Sequence, residues 1–160
     1  MDKRRVKTRQ GRPFHLPPSA RVDESLRLHL CFFALRTAHG RAFHLGTIVR
    51  TMFASFYLYE AGYGSGDASI FSEADEKFVS ISLESKLDGP FSLRADAESP
   101  TARLLELYDR QLETAPVASL VDAHRRAQMN LRAAPQEQLT IGALIARAKV
   151  GSMTRRDLNC

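Results

Sequence analysis

Phe43–Gly62, FHLGTIVRTMFASFYLYEAG, is the most periodic run of the chain and decides the fold. Leu45, Ile48, Val49, Met52, Phe53 and Phe56 recur at three- and four-residue steps, so a helix here carries one continuous apolar face. Gly62 stands where such a helix would stop, and Tyr63-Gly64-Ser65-Gly66 follows as a loop. The run predicts the central helix of a mainly α protein. Outward from it we expect a single small helical domain of about five to six helices, preceded by an extended basic N-terminal arm.

On the N-terminal side, a first helix is expected from near Asp23 to His39. Asp23 or Ser25 would cap it and Gly40 would end it. Leu26, Leu30, Phe33 and Ala34 share one face, and Leu28, Cys31, Phe32 and Leu35 make much of the other apolar too. A helix apolar nearly all round is buried or packs on a partner. With the central helix it forms a helical hairpin. Phe32, Phe56, Tyr57 and Tyr59 either fill the monomer core or leave a seam for a homodimer.

On the C-terminal side, Ser72-Glu73-Ala74-Asp75 fits a capping box and predicts a helix from Ser72 to about Ser85. Val79, Ile81 and Leu83 alternate, as do Phe91 and Leu93 around Asp88-Gly89-Pro90, so a small β-hairpin near 77–94 is the alternative. Ser99 would cap a further helix with Pro100 at its first position, lined by Leu104, Leu105, Tyr108 and Leu112. After Thr114-Ala115-Pro116, Val117, Leu120, Val121, His124 and Leu131 mark another helix that ends near Ala134. Arg125, Arg126 and Arg132 stud its far half, either as a solvated face or as part of a phosphate-contacting surface.

Length and composition fit one domain: 160 residues at 44% hydrophobic can bury a core without disulfides. The two cysteines suit a reducing compartment, Cys31 as a small buried hydrophobe and Cys160 as a terminal thiol. No secretory signal is read, and no apolar run reaches the roughly 18 residues of a membrane span. We therefore expect a cytoplasmic protein without a membrane partner.

Charge carries most of the functional information. Residues 1–21 hold seven Lys/Arg against one Asp, and residues 124–160 hold seven against two acids. Between them, residues 22–123 hold nine basic and fifteen acidic side chains. A mildly acidic body flanked by basic ends favours a polyanionic partner. Lys3, Arg4, Arg5, Lys7, Arg9 and Arg12 crowd the arm, whose Gly11, Pro13, Pro17 and Pro18 argue against a helix there. Arg9-Gln10-Gly11-Arg12-Pro13 resembles the AT-hook, with Gln10 in place of the first core Arg. That resemblance implies Arg insertion into a narrow minor groove, where negative potential is concentrated. The other reading is a generic basic tail.

The C-terminus has a functional shape. A helix from Ile141 to Lys149 would end at Val150-Gly151-Ser152, and a second would begin near Met153. Thr140, Leu144, Ala148, Val150, Gly151 and Thr154 fall at the spacings of the helix-turn-helix of bacterial regulators, which this segment resembles. The resemblance implies that Ser152, Thr154, Arg155 and Arg156 contact duplex DNA. Arg155 departs from the pattern, since that position is usually apolar. A terminal amphipathic helix with a basic tail is the alternative. Three regions follow: a flexible basic arm over 1–21, a helical core over 22–134 and a helix-turn-helix-like segment over 135–160.

More broadly, KRRVKTRQGRPF, RLHLCFFALR, FHLGTIVRTMFASFYLYEAGYG and LLELYDRQL resemble small proteins of proteobacterial conjugative plasmids and integrative elements, over roughly residues 1–132. Some of those are labelled Fis-like regulators, which implies DNA binding by a C-terminal helix-turn-helix. The resemblance carries over no catalytic residues.

Enzyme chemistry finds little footing. His15, His29, His39, His44 and His124 lack metal-ligand spacing, and His29 reads as packed in the first helix. Tyr63-Gly64-Ser65-Gly66 lacks the Lys-Ser/Thr of a phosphate loop. We expect no cofactor, no metal and no catalytic residues. The leading expectation is a nucleic-acid-binding regulator or accessory factor of a mobile element. The alternative is a helical protein–protein interaction module, homodimer or adaptor, with incidental basic ends.

Overall fold

The computed structural model describes residues 13–84 and 90–148, with the side chains of 82–84 left aside. Five helices follow one another: α1 (Pro18–Arg36), α2 (Ala42–Glu60), α3 (Ser69–Glu84), α4 (Ala95–Thr114) and α5 (Val117–Arg132). A sixth, α6, covers 141–148. The protein is mainly helical and forms one small domain, with no strand among the described residues. The central helix is where its periodicity puts it. α2 packs against α1, α3, α4 and α5, and Leu45, Ile48, Met52, Phe53 and Phe56 are all buried. Its stop follows Gly62, at φ 91°: Gly62 N–H donates to Tyr59 O and Tyr63 N–H to Leu58 O, so the last carbonyls are paired by a left-handed cap.

Three expected helix starts move. α1 begins at Pro18 and not near Asp23, with Pro17 extended before it. A proline at the first helical position has its φ already set, and the N–H it lacks would have had no partner there. The helix therefore takes 18–21 out of the segment read as arm. α3 begins at Ser69, where Asp67 Oδ1 accepts the Ser69 N–H at 3.1 Å. Ser72 lies inside the helix and turns its hydroxyl to Ser69 O at 3.0 Å. α4 begins at Ala95, with Asp96 and Glu98 in its first turn, where negative charge is favourable. Pro100 sits inside α4, near enough to its start that only one helical hydrogen bond is forgone.

The hairpin near 77–94 does not form over the described residues. Phe71, Ala74, Phe78 and Ile81 bury at helical spacing in α3 while Val79 faces out, so the three- and four-residue period prevails over the alternation. Phe91 instead makes a single bridge to Gly40, its N–H donating to Gly40 O at 3.1 Å. Gly40 has a different role from the expected stop. α1 ends at Arg36 and the left-handed residue is Ala38, at φ 57°. A Cβ on Gly40 would stand 2.2 Å from Phe91 O, so its smallness admits that neighbour.

Phe56 and Tyr57 are buried, and Phe32 and Tyr59 pack partly buried against the same core. The aromatic seam drawn for a homodimer is thus monomer core. Five polar side chains are buried with it among the described residues; of these, Gln111 donates to Ser55 O (3.0 Å) and Tyr63 O (2.9 Å) and accepts the Ser55 hydroxyl at 2.7 Å.

Candidate nucleic-acid interface

Of the twelve residues singled out for nucleic acid, Arg125 and Arg126 are described. Lys3, Arg4, Arg5, Lys7, Arg9 and Arg12 lie outside the described residues, as do Ser152, Thr154, Arg155 and Arg156. The turn and second helix of the helix-turn-helix reading fall outside them too. Its first helix is in place: α6 starts at 141, and Thr140 Oγ1 accepts the Ala143 N–H at 3.2 Å as its cap. Asn130 ties the approach to α6 down onto α5, donating to Leu139 O (2.9 Å) and accepting Leu139 N–H (2.8 Å). Ile141 and Leu144 are buried as a result.

This docking gathers cations that the sequence separates. Arg126 and Arg147 line one cleft of about 1000 Å³ between α2, α5 and α6, with Tyr57 and Glu60 on its wall. Arg126 is partly engaged there. Its guanidinium carbon stands 3.9 Å from the Tyr57 ring centroid, and Nη2 donates to Glu60 Oε2 at 3.4 Å. The flat guanidinium lies over the π-face, which fixes it while leaving other N–H groups open. Arg125, one residue earlier, pairs with Asp122 at 2.7 Å. Arg132 and Arg147 are exposed and have no carboxylate partner among the described residues. Arg147 had no sequence signal as a site residue, because it joins the others only through the α5–α6 packing.

Residues 14–16 pass the other end of α5. Phe14 O accepts the Val117 N–H at 2.8 Å, and His15 bridges to Pro116. Residues 14–16 are thus strapped beside the start of α5. With 16 residues, α5 is about 24 Å long. Residues 14–16 and Arg132 therefore stand roughly that far apart, at opposite ends of one rigid helix.

Burial pushes the Cys31 thiol up, as for a small packed hydrophobe. His29 is exposed, its Nε2 2.9 Å from Asp109 Oδ2, and not packed in the helix as the sequence suggested. His124 Nε2 lies 2.6 Å from the Tyr108 hydroxyl. Burial pushes the Tyr108 phenol well above its ordinary range and the His124 imidazole below its own. Among the described residues no group of three or more His, Cys, Asp or Glu is placed to hold a metal. No described helix is long and apolar enough to cross a membrane.

Comparison with protein families, with curated proteins and with solved structures finds no match to this chain.

Proposed function

We propose that this chain binds nucleic acid, duplex DNA in the first place, with two basic regions carried on an acidic helical body. The observation that carries the reading is the charge layout: residues 1–21 and 124–160 are both strongly basic while 22–123 is net acidic. Such segregation draws a polyanion to the ends and holds it off the body. Placement adds support. Residues 14–16 and Arg132 lie at the two ends of α5, about 24 Å apart, a spacing that one duplex can span. The resemblance to proteins of conjugative and integrative elements makes a regulator or accessory factor of a mobile element the setting we infer.

The test is an electrophoretic or anisotropy titration of a mixed-sequence duplex at two salt concentrations. If three arm cations neutralise phosphates, raising salt from about 50 to about 200 mM weakens binding roughly forty-fold. Deleting residues 2–12 is the informative truncation, because it leaves the Phe14–Val117 strap and α1 intact. It is expected to remove most of the salt dependence. Charge reversal at Arg132 and Arg147 should weaken what remains. Full-strength binding by a chain carrying all three changes would overturn the reading, and so would no binding by the wild type at low salt.

A further inference from the structure

We propose that the outward face of α1 is a homodimer seam, in which two copies pack their α1 helices antiparallel along Val22, Leu26, Leu30 and Phe33. The four side chains are 63%, 55%, 58% and 61% exposed. Steps of four, four and three residues set them on one stripe. The stripe lies opposite Leu28, Cys31 and Leu35, which face the core. Nine large hydrophobic side chains are exposed among the described residues; α1 carries four of them and no other helix more than two. Scattered exposed apolar residues are ordinary, whereas a continuous stripe marks a surface that something covers.

Charge and shape argue for a second copy. Two of the ionisable groups bordering the stripe are already closed within the chain: His29 meets Asp109 at 2.9 Å and Arg36 meets Glu98 at 2.8 Å. Arg21 and Asp23, at the N-terminal end, carry opposite signs. Glu113 shares a hollow with Val22 and Leu26, so the rim is at most weakly acidic. It offers little to a polyanion, and it lacks the cation-rich border that holds a helix on a bilayer. A partner with the same weakly charged rim and an apolar stripe suits it, and a copy of the chain supplies both. In an antiparallel pair the small Val22 meets the large Phe33 of the partner, and Leu26 meets Leu30, so the contact is isologous and evenly filled. The two helix dipoles then also oppose each other favourably.

Area sets the strength. The four side chains expose on the order of 400 Å² per copy, about half of what each partner gives to a standard interface. The seam therefore yields a weak, concentration-dependent dimer. This inference stands apart from the nucleic-acid reading and is tested without nucleic acid.

The experiment is sedimentation equilibrium of the full chain in high salt. From about 5 to about 500 µM, the range in which weak interfaces dissociate, the weight-average mass should climb from 17.9 kDa toward twice that value. Leu26→Ser combined with Leu30→Ser should weaken dimerisation at least tenfold, Leu30→Ser alone by less, and Val79→Ser on α3 not at all. Circular dichroism checks that each variant is folded, and the single variant serves if the double one is not. A wild-type mass fixed at one chain throughout would overturn the proposal. So would association untouched by the stripe variants, growth past two chains, or stripe-dependent capture on neutral vesicles without dimerisation.

Discussion

α1 and α2 are both 19 residues long, adjacent in the chain, and each carries apolar residues on more than one face. Their fates differ. α2 is enclosed by four other helices and buries eleven residues, whereas α1 touches only α2 and α4 to any extent and buries three. Composition states that a helix needs covering, and the neighbours decide how much cover it receives. Because α2 is enclosed, even its hydroxyls must be answered inside the core. Thr51 donates to Thr47 O at 3.0 Å and Ser55 to Gln111. The outer stripe of α1 has no such neighbour, which is why it remains available to a partner.

The contrast is broken most directly by truncating one large side chain on each helix. Phe56 is 1% exposed and meets Phe71 edge to face at 5.3 Å. Phe56→Ala should cost about 3–5 kcal/mol through lost burial and the cavity left behind. Leu30→Ala, at dilute protein, should stay within about 0.5 kcal/mol. Urea unfolding of both variants measures the gap. Comparable losses would mean that α1 is covered in the monomer, which would remove both the contrast and the dimer seam.

Gln111 gives the next largest effect. It is the one α4 side chain that closes both the α2 interior and the loop after it, through Ser55 and Tyr63. Gln111→Ala leaves a buried hydroxyl and two carbonyls without this partner, at a cost of about 1–3 kcal/mol. Hydrogen exchange at the Tyr63–Gly66 loop should quicken in the same variant. An unchanged midpoint would show that water replaces the amide without loss, and that the α2 interior is less dry than its burial implies.

These positions also show what the sequence made legible. The span of α2, its stop at Gly62, the restart at Pro116 and the start of α6 were readable, because periodicity, a left-handed glycine, a proline and the Thr140 cap are local signals. The starts of α1 and α4 were misplaced for a shared reason, while α3 starts beside Asp67 and not at Ser72. The residues that precede α1, α2, α4 and α5 are Pro17, Arg41, Arg94 and Pro116, and none makes a side-chain cap of the Ser/Thr/Asp/Asn kind. Asp23, Ser25, Ser72 and Ser99 matched that pattern and all fell within helices. α2 uses a substitute, the Arg41 N–H donating to His44 Nδ1 at 2.9 Å. Of the candidate interface, the charge layout was plain, but its pairing was not. Arg126 rests on Tyr57, 69 positions away, and shares a cleft with Arg147 on α6, whose approach Asn130 pins to α5. No local pattern encodes such contacts.

The smallest effect concerns the inner face of α1. Where α2 is dry, α1 sits over a polar junction. Tyr108 and His124 are hydrogen-bonded there, beside Glu24 and Arg27 of α1 and Arg50 of α2. Burial depresses the His124 pKa below 6.5, with Arg50 and Arg27 pressing the same way and Glu24 opposing them. The native state therefore binds this proton less readily than the unfolded chain. The corresponding stability is present above pH 6.5 and is lost as pH falls from there toward the lower folded value. Glu24 acts in a separate window. Burial pushes its carboxyl up, but the Arg27 hydrogen bond and charge outweigh that, and its contribution is lost only below about pH 4.5. Thermal midpoints should accordingly decline as pH falls below 6.5 in the wild type, and the decline should flatten in His124→Gln. Tyr108→Phe, which removes the hydroxyl, should cost about 1 kcal/mol at neutral pH. A wild-type midpoint level through that window would show that α1 opens enough to let His124 take up its proton from water, and that its docking is looser than that of α2 even on the side facing the core.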